Sequence, residues 1–352
     1  MRKGSKAVLA IAGIAAVATL YFVSLNVGPS QVQLFQGREE LDLDFVNFIG
    51  KYQKQYRSKE DFNLRRQVFL TNLNRIRSHN EKNSSSYRMG VNRFSDMNEE
   101  EFRAMLGYKN FGQHGRKIDG ENSFIIFNTT DLPKSVDWRP TGAVTKVKDQ
   151  GSCGSCYAFS AVSSVEGAYF MKTNKTVELS VEQIVDCSDS YKNQGCGGGL
   201  PDWAFDYMWD NGLMTEQDNP YKGGRGSCDD DYSKFVVKLT HYYDVTHLDP
   251  DQLKGAVAQV GPISIGVGAG NDAWFHYNSG IIDDASVCKP NLDHAVLLVG
   301  YGAEAGREYW IVKNTWGDDW GEAGYVRILI SPGFGVCGVN MTPIFPEVKI
   351  LK

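Results

Sequence analysis

At 352 residues, with 42% apolar and 22% charged side chains, the chain can bury a sizeable core and is too mixed for a collagen-like or disordered polymer. Its net charge of −5 hides a division: residues 1–131 carry 19 Lys/Arg against 14 Asp/Glu, and residues 132–352 carry 18 against 28. The acidic part is a poor surface for nucleic acid, and two parts of opposite sign attract each other.

In chain order, Arg2, Lys3 and Lys6 precede 19 uncharged residues, Ala7 to Leu25. That pattern reads residues 1–30 as a signal peptide or signal anchor, which is the chain's expected membrane contact, and only if it stays uncleaved. Either form sends the rest into a secretory, oxidising compartment. Sequons at Asn83, Asn128, Asn174 and Asn340 fit that route and an expected glycoprotein. Residues 41–56 set Phe45, Phe48, Ile49, Tyr52 and Tyr56 at helical spacing, and residues 60–80 repeat this with Leu64, Val68, Phe69, Leu73 and Ile76. The two predict a helical hairpin with an apolar seam. A short strand is expected near "SYRMGVNRFSD", and Gly107 to Thr130 reads as a linker or extended segment.

The acidic part opens at "LPKSVDWRPTGAV". Residues 156–173 lack Pro and are apolar on most faces, which predicts a buried helix with Cys156 in its first turn. Further helices are expected at "SVEQIVDC" and "LPDWAFDYMWDN". After about residue 235 the pattern changes to short β runs, so the fold class is α+β with two lobes.

All seven cysteines lie beyond residue 131, and an odd number in an oxidising compartment leaves one thiol over. Cys153 and Cys156 in "QGSCGSCYAFS" allow three readings: half a zinc site, a redox dithiol, or a structural cysteine beside a reactive one. Zinc needs about four ligands, and the next cysteines, Cys187 and Cys196, lie nine apart rather than in a second such pair. A redox dithiol wants a βαβ unit that is not evident. The third reading is favoured: a helix N-terminus stabilises a thiolate, and a nucleophile needs a base and a group to orient it. His294 in "NLDHAVLLVGYG" and Asn314 in "WIVKNTWGDDWGEAGY" supply these, 138 and 158 residues beyond Cys156.

These segments, with "CGGG" between them, resemble the papain family of cysteine proteases, in its cathepsin L-like branch. The papain signature has its His and Asn roughly 130–150 residues downstream; His294 fits and Asn314 falls slightly beyond. Tyr157 departs from the family, which usually has Trp there. The resemblance implies a papain-like two-lobed fold, a helical lobe and a β-barrel-like lobe with the active-site cleft between them. It implies disulfides Cys153–Cys196, Cys187–Cys228 and Cys288–Cys337, leaving Cys156 free. Upstream, Asp61, Arg65, Phe69, Asn72, Ile76 and Asn80, then Gly90, Asn92, Phe94 and Asp96, resemble the family's inhibitory prodomain, with Asp61 in place of Glu. The expected organisation is therefore residues 1–30 as signal or anchor, 31–131 as prodomain and linker, and 132–352 as peptidase.

As the resemblance implies, Cys156 is the nucleophile, His294 its base, Asn314 the orienting group and Trp316 a shield. Gln150 and the Cys156 N–H form the oxyanion hole. Gly198 and Gly199 would pair with substrate backbone, and Leu200, Pro201, Gly266, Leu292, Ala295 and Thr342 would line an S2 pocket without charge, so an apolar P2 residue is expected. Expected partners are peptide and protein substrates and the chain's own prodomain, with no cofactor, no metal and no nucleic acid. The protein is expected to be a monomer in a lysosome, digestive vacuole or extracellular space. A peptide ligase using the same site, or a binding protein on the same fold, are the readings from other classes.

Overall fold

The protein was analysed as a computed structural model that describes residues 43–82, 85–109 and 123–352. The expected signal or anchor segment and Asn83 lie outside these residues. Among those described, no helix is long and apolar enough to cross a membrane. The described residues fall into two compact units, one of residues 43–81 and 91–98, the other of residues 82, 85–90, 99–109 and 123–352.

The smaller unit is a helical hairpin. Helix α1 is Leu43–Tyr52 and α2 is Lys59–Asn80, the latter capped by Ser58, whose hydroxyl accepts from Asp61 N. Phe45, Phe48 and Ile49 of α1 pack on Phe62, Phe69 and Leu73 of α2. Leu64, expected in this seam, is instead 54% exposed. It sits about 200° around the helix from Phe62, at 100° per residue, so it cannot share that face. Residues 91–98 close on the hairpin through polar contacts. Asn72 Nδ2 donates to Ser95 O and Met97 O, both at 3.0 Å, and Arg65 donates to Asp96 O at 3.1 Å. The buried Asp96 carboxylate accepts from Lys54 at 2.8 Å and from Tyr56 OH at 3.0 Å.

The larger unit opens with strand β1 (Tyr87–Met89) and helix α3 (Glu99–Ala104). Its helical core is α4 (Cys156–Thr173), buried from Cys156 to Gly167, against α5 (Val181–Cys187) and α6 (Pro201–Asp210). The remaining strands are β2 (Phe124–Ile125), β3 (Val136–Asp137), β4 (Val237–Val245), β5 (Ile263–Val267), β6 (Tyr277–Ile282), β7 (His294–Glu304), β8 (Arg307–Lys313), β9 (Tyr325–Leu329) and β10 (Ile344–Ile350). They form one sheet in the order β1-β6-β9-β8-β7-β5-β10-β4-β2, with β3 on β7. Strands β7 and β8 make an antiparallel hairpin. Its two turn residues, Ala305 and Gly306, both have positive φ, at 51° and 78°, the twist that suits a two-residue hairpin.

Two features differ from expectation. Helix α7 (Pro250–Val260) interrupts the β-rich part, begun by Asp249, whose carboxylate accepts from Asp251 N and Gln252 N, and by Pro250 in the first turn. And the expected linker is partly anchored: Phe124 and Ile125 pair in parallel with Asp244 and Val245 of β4, and Phe127 is buried. Disulfides join Cys153 to Cys196, Cys187 to Cys228 and Cys288 to Cys337, and Cys156 is free. The sequons differ sharply. Asn174 is exposed at the C-terminus of α4, whereas Asn340 is 1% exposed and its amide donates to Ser331 O and Gly333 O at 2.8 and 2.9 Å.

Candidate active site

Cys156 is the first residue of α4, held in place from behind by the Cys153–Cys196 bridge. His294 opens β7, registered opposite Val267 of β5, and Asn314 directly follows β8. The hairpin register, Leu297 opposite Lys313, brings the last two together, and His294 Nε2 lies 2.8 Å from Asn314 Oδ1. Trp316 stacks on the imidazole with ring centroids 4.8 Å apart at 27°, and all four residues are fully buried. His294 Nδ1 carries no hydrogen bond. Gln150 is fully buried too: its Oε1 accepts from Thr315 Oγ1 at 2.5 Å, while Nε2 donates to Cys153 O at 2.9 Å and Met105 O at 3.0 Å.

Burial sets the electrostatics. It pushes the Cys156 thiol up to about 11, opposed by hydrogen bonds from the main chain at Ala295, Gly107 and Tyr157. It pushes the His294 imidazole down to about 4, against the Asn314 bond that favours the charged ring. The helix terminus at Cys156 favours a thiolate, but taking the sulfur out of water outweighs it. Burial thus opposes the charged form of both groups, against the direction that the helix terminus favours.

What covers them is the chain's own segment 105–109. Gly199 N donates to Gly107 O at 2.8 Å, Lys109 N to Gly199 O at 3.1 Å, and Tyr108 N to Asp293 O at 3.1 Å. The approach is so close that a Cβ at Gly107 would lie 1.8 Å from Gly154 O, and one at Gly198 (φ 107°) would lie 2.6 Å from Gly107 O. Tyr108 packs with Cys156, Leu200, Trp203, Ala295 and Leu292. Its hydroxyl lies 3.4 Å from Thr342 Oγ1, and its ring lies 3.1 Å from where a Cβ on Gly266 would be. The expected S2 residues Leu200, Gly266, Leu292, Ala295 and Thr342 thus meet around one aromatic side chain, and Pro201 opens α6 beside Leu200. Nothing local in "LGYKN" marks Tyr108 for this place. Its role follows only from contacts far off in sequence. At Tyr157, the hydroxyl donates to Gly195 O at 3.2 Å, giving the buried ring a polar partner.

Among the described residues, the metal-like grouping Cys187, Cys228 and Asp230 uses two sulfurs already joined as a disulfide.

The sequence pattern of the papain family cysteine protease domain matches residues 132–347. The chain belongs to the papain family of cysteine proteases. Within that family it is built as a proenzyme, since residues 45–102 match the cathepsin propeptide inhibitor domain. It is 37% identical to cathepsin L of Sarcophaga peregrina over 90% of this chain and 97% of that protein. It is 43% identical to cysteine proteinase RD21A of Arabidopsis thaliana over 84% of this chain, but spans only 64% of that protein. Among solved structures, digestive procathepsin L 3 of Tenebrio molitor larval midgut superimposes with a TM-score of 0.77 at 36% identity, covering 86% of this chain and 98% of that one.

Proposed function

We propose that this papain-family chain is a cathepsin L-like endopeptidase made as a zymogen, cutting peptide bonds through Cys156, His294, Asn314 and Gln150. Once segment 105–109 leaves, water reaches the pair and the proton passes from Cys156 to His294, giving a thiolate and an imidazolium. The thiolate attacks the peptide carbonyl, the oxyanion is held by Gln150 Nε2 and the Cys156 N–H, and His294 protonates the leaving amine. Water then releases the acyl group with His294 as base. Asn314 accepts the Nε2–H and fixes the ring, and Trp316 keeps water from that bond.

The observation that carries this reading is the chain segment bonded along Gly199 and Asp293 with Tyr108 in the pocket. A peptide already lies where a substrate would, and its Met105 carbonyl already takes the Gln150 amide. A pocket without charge, lined by Leu200, Leu292, Ala295 and Gly266, favours Leu, Phe or Val at P2. The organisation proposed is residues 1–30 as signal or anchor, 31–131 as inhibitory prodomain, and 132–352 as a monomeric peptidase in a secretory, lysosomal, vacuolar or extracellular setting. Asn174 is its exposed glycan acceptor.

The test is acid activation of purified zymogen followed by a fluorogenic panel varied at P2, with and without an epoxysuccinyl inhibitor. The expected result is inhibitor-sensitive hydrolysis favouring apolar P2. Preference for a charged P2 residue would overturn the pocket assignment, and activity in a Cys156→Ser chain would overturn the nucleophile. An added amine nucleophile that captured most of the acyl groups would indicate a ligase.

A further inference from the structure

A second peptide seat lies on the larger unit, built without any residue of the Cys156 site. Its walls are helix α7 and the outer edge of β4, and its occupant is the segment Ser123–Thr130. The Gln252 side-chain amide reads one residue's backbone completely: Phe127 N donates to its Oε1 at 2.8 Å, and its Nε2 donates to Phe127 O at 3.1 Å. Gln259 Nε2 donates to Asn128 O at 2.9 Å. Upstream, Phe124 and Ile125 extend the sheet beside Asp244 and Val245, the strand-addition mode of peptide recognition. Side chains sort accordingly. Ile126 is 75% exposed, while Phe127 is 6% exposed and packs on Phe345 with centroids 5.8 Å apart. Helix α7 leaves room for it by carrying glycine at the contact, since a Cβ at Gly255 would lie 2.8 Å from Phe127 Cβ and 3.5 Å from Thr129 Cγ2.

We propose that this groove is an autonomous binding site for an extended peptide with one aromatic anchor. Its occupant is this chain's own segment 123–131, held noncovalently after it has been cut away at both ends. The proposal builds on the reading that the peptidase begins at Leu132. Every contact named runs to α7, β4 or β10, so severing the backbone at Asp131 removes none of them. While the segment stays, it covers the β4 edge, which would otherwise be open to pairing with another strand. Once it leaves, the groove is a peptide site separate from the cleft.

The test uses the full chain with Cys156→Ala, carrying one foreign protease site after Gly115 and another between Asp131 and Leu132. Both cuts are made by the foreign protease, so the outcome is independent of any activity of the chain itself, and failure here is distinguishable from failure of the protease reading. Equilibrium dialysis across a membrane that passes the fragment measures its retention. We expect a dissociation constant at or below roughly 10 μM, ordinary for a short peptide with one buried anchor. Gly255→Ala should weaken retention at least about tenfold. Its added methyl has Phe127, Thr129 and the flexible Gln259 amide as nearest neighbours, and alanine favours a helix. Gln252→Ala should do the same by unpairing two backbone groups. Equal fragment on both sides of the membrane, from a chain whose thermal melt shows it folded, overturns the proposal. So does retention that neither variant reduces.

Discussion

At the scale of single residues, the site is chemically silent because it is dry. Burial pushes the Cys156 thiol up to about 11, which disfavours the thiolate while the segment is in place. Iodoacetamide should therefore label the zymogen very slowly, and loss of residues 105–109 from the cleft should raise the rate by at least about 100-fold. Equal rates would show that the segment does not control ionisation. Thiol counting on denatured, unreduced protein should find one free cysteine, lost in Cys156→Ser. Three would break the disulfide pairing. At Gly266, a methyl would sit 2.8 Å from Thr342 Oγ1 and 3.1 Å from the Tyr108 ring, so it takes volume from the pocket itself. Gly266→Ala should lower kcat/KM for Phe at P2 about tenfold more than for Val. An unchanged ratio would show that position 266 does not face P2. That His294 and Asn314 come together was legible in the sequence only from their joint spacing to Cys156 and the resemblance that spacing carries, since neither stands out alone. Tyr108 was not, because its neighbours Leu200, Ala295 and Thr342 come together only when the chain folds.

At the scale of elements, helix α4 is tied to its surroundings by charge as well as by apolar packing. Glu166, 2% exposed on α4, accepts from Thr145 Oγ1 at 2.6 Å, Leu179 N at 2.9 Å and Lys148 Nζ at 3.2 Å. Lys313, just before Asn314, donates to Thr145 at 3.2 Å, and burial pulls its ammonium down to about 8. Because that folded value lies below the ordinary one, the buried cation costs stability below about pH 8, and the cost is relieved as pH rises toward the unfolded value. Glu166→Gln takes from Lys148 its nearer carboxylate and leaves it Glu216 at 3.9 Å, so we expect a loss of about 3 kcal/mol, the low end for a broken buried pair, read as a lower urea midpoint. A midpoint within error of wild type would show that the network carries no net stability. Helix α4 was readable from the absence of proline and from apolar residues on most of its faces, and β7 and β8 from their short apolar runs. Helix α7 was not, because "PDQLKGAVAQV" is short and carries an interior glycine. Its signal was Asp249 followed by Pro250, a start mark overshadowed by the β runs on either side.

At the scale of the whole molecule, release of the prodomain by acid would require groups that gain protons, and the Cys156 site is a poor place to find them. Closed, the pair holds one proton, on sulfur. Open, as thiolate and imidazolium, it again holds one, on the ring. That exchange takes no proton from solution, so acid gains nothing there. Asp293 acts in the wrong direction: burial raises its carboxyl, so acid favours the state in which it stays buried. The prediction rests instead on the opposite charges of residues 1–131 and 132–352, an attraction that weakens as carboxylates lose charge. We expect residues 37–110 added in trans to inhibit tightly near pH 7 and weakly below about pH 5, as carboxylates with ordinary values near 4 lose charge. Inhibition constants from pH 4 to 7 at two salt concentrations check this. A pH-independent constant refutes acid release, and a pH effect insensitive to salt would show that the long-range charge difference is not its cause. The burial of Asn340 sets a condition on biosynthesis. Its amide is locked between Ser331 O and Gly333 O, a few residues from the Cys288–Cys337 bridge, so a folded molecule offers no acceptor there. A sugar attached earlier, on the nascent chain, would bar that loop from closing. This fold and a glycan on Asn340 therefore exclude each other, and of the two sequons beyond residue 131 only Asn174 leaves a folded peptidase free to carry one.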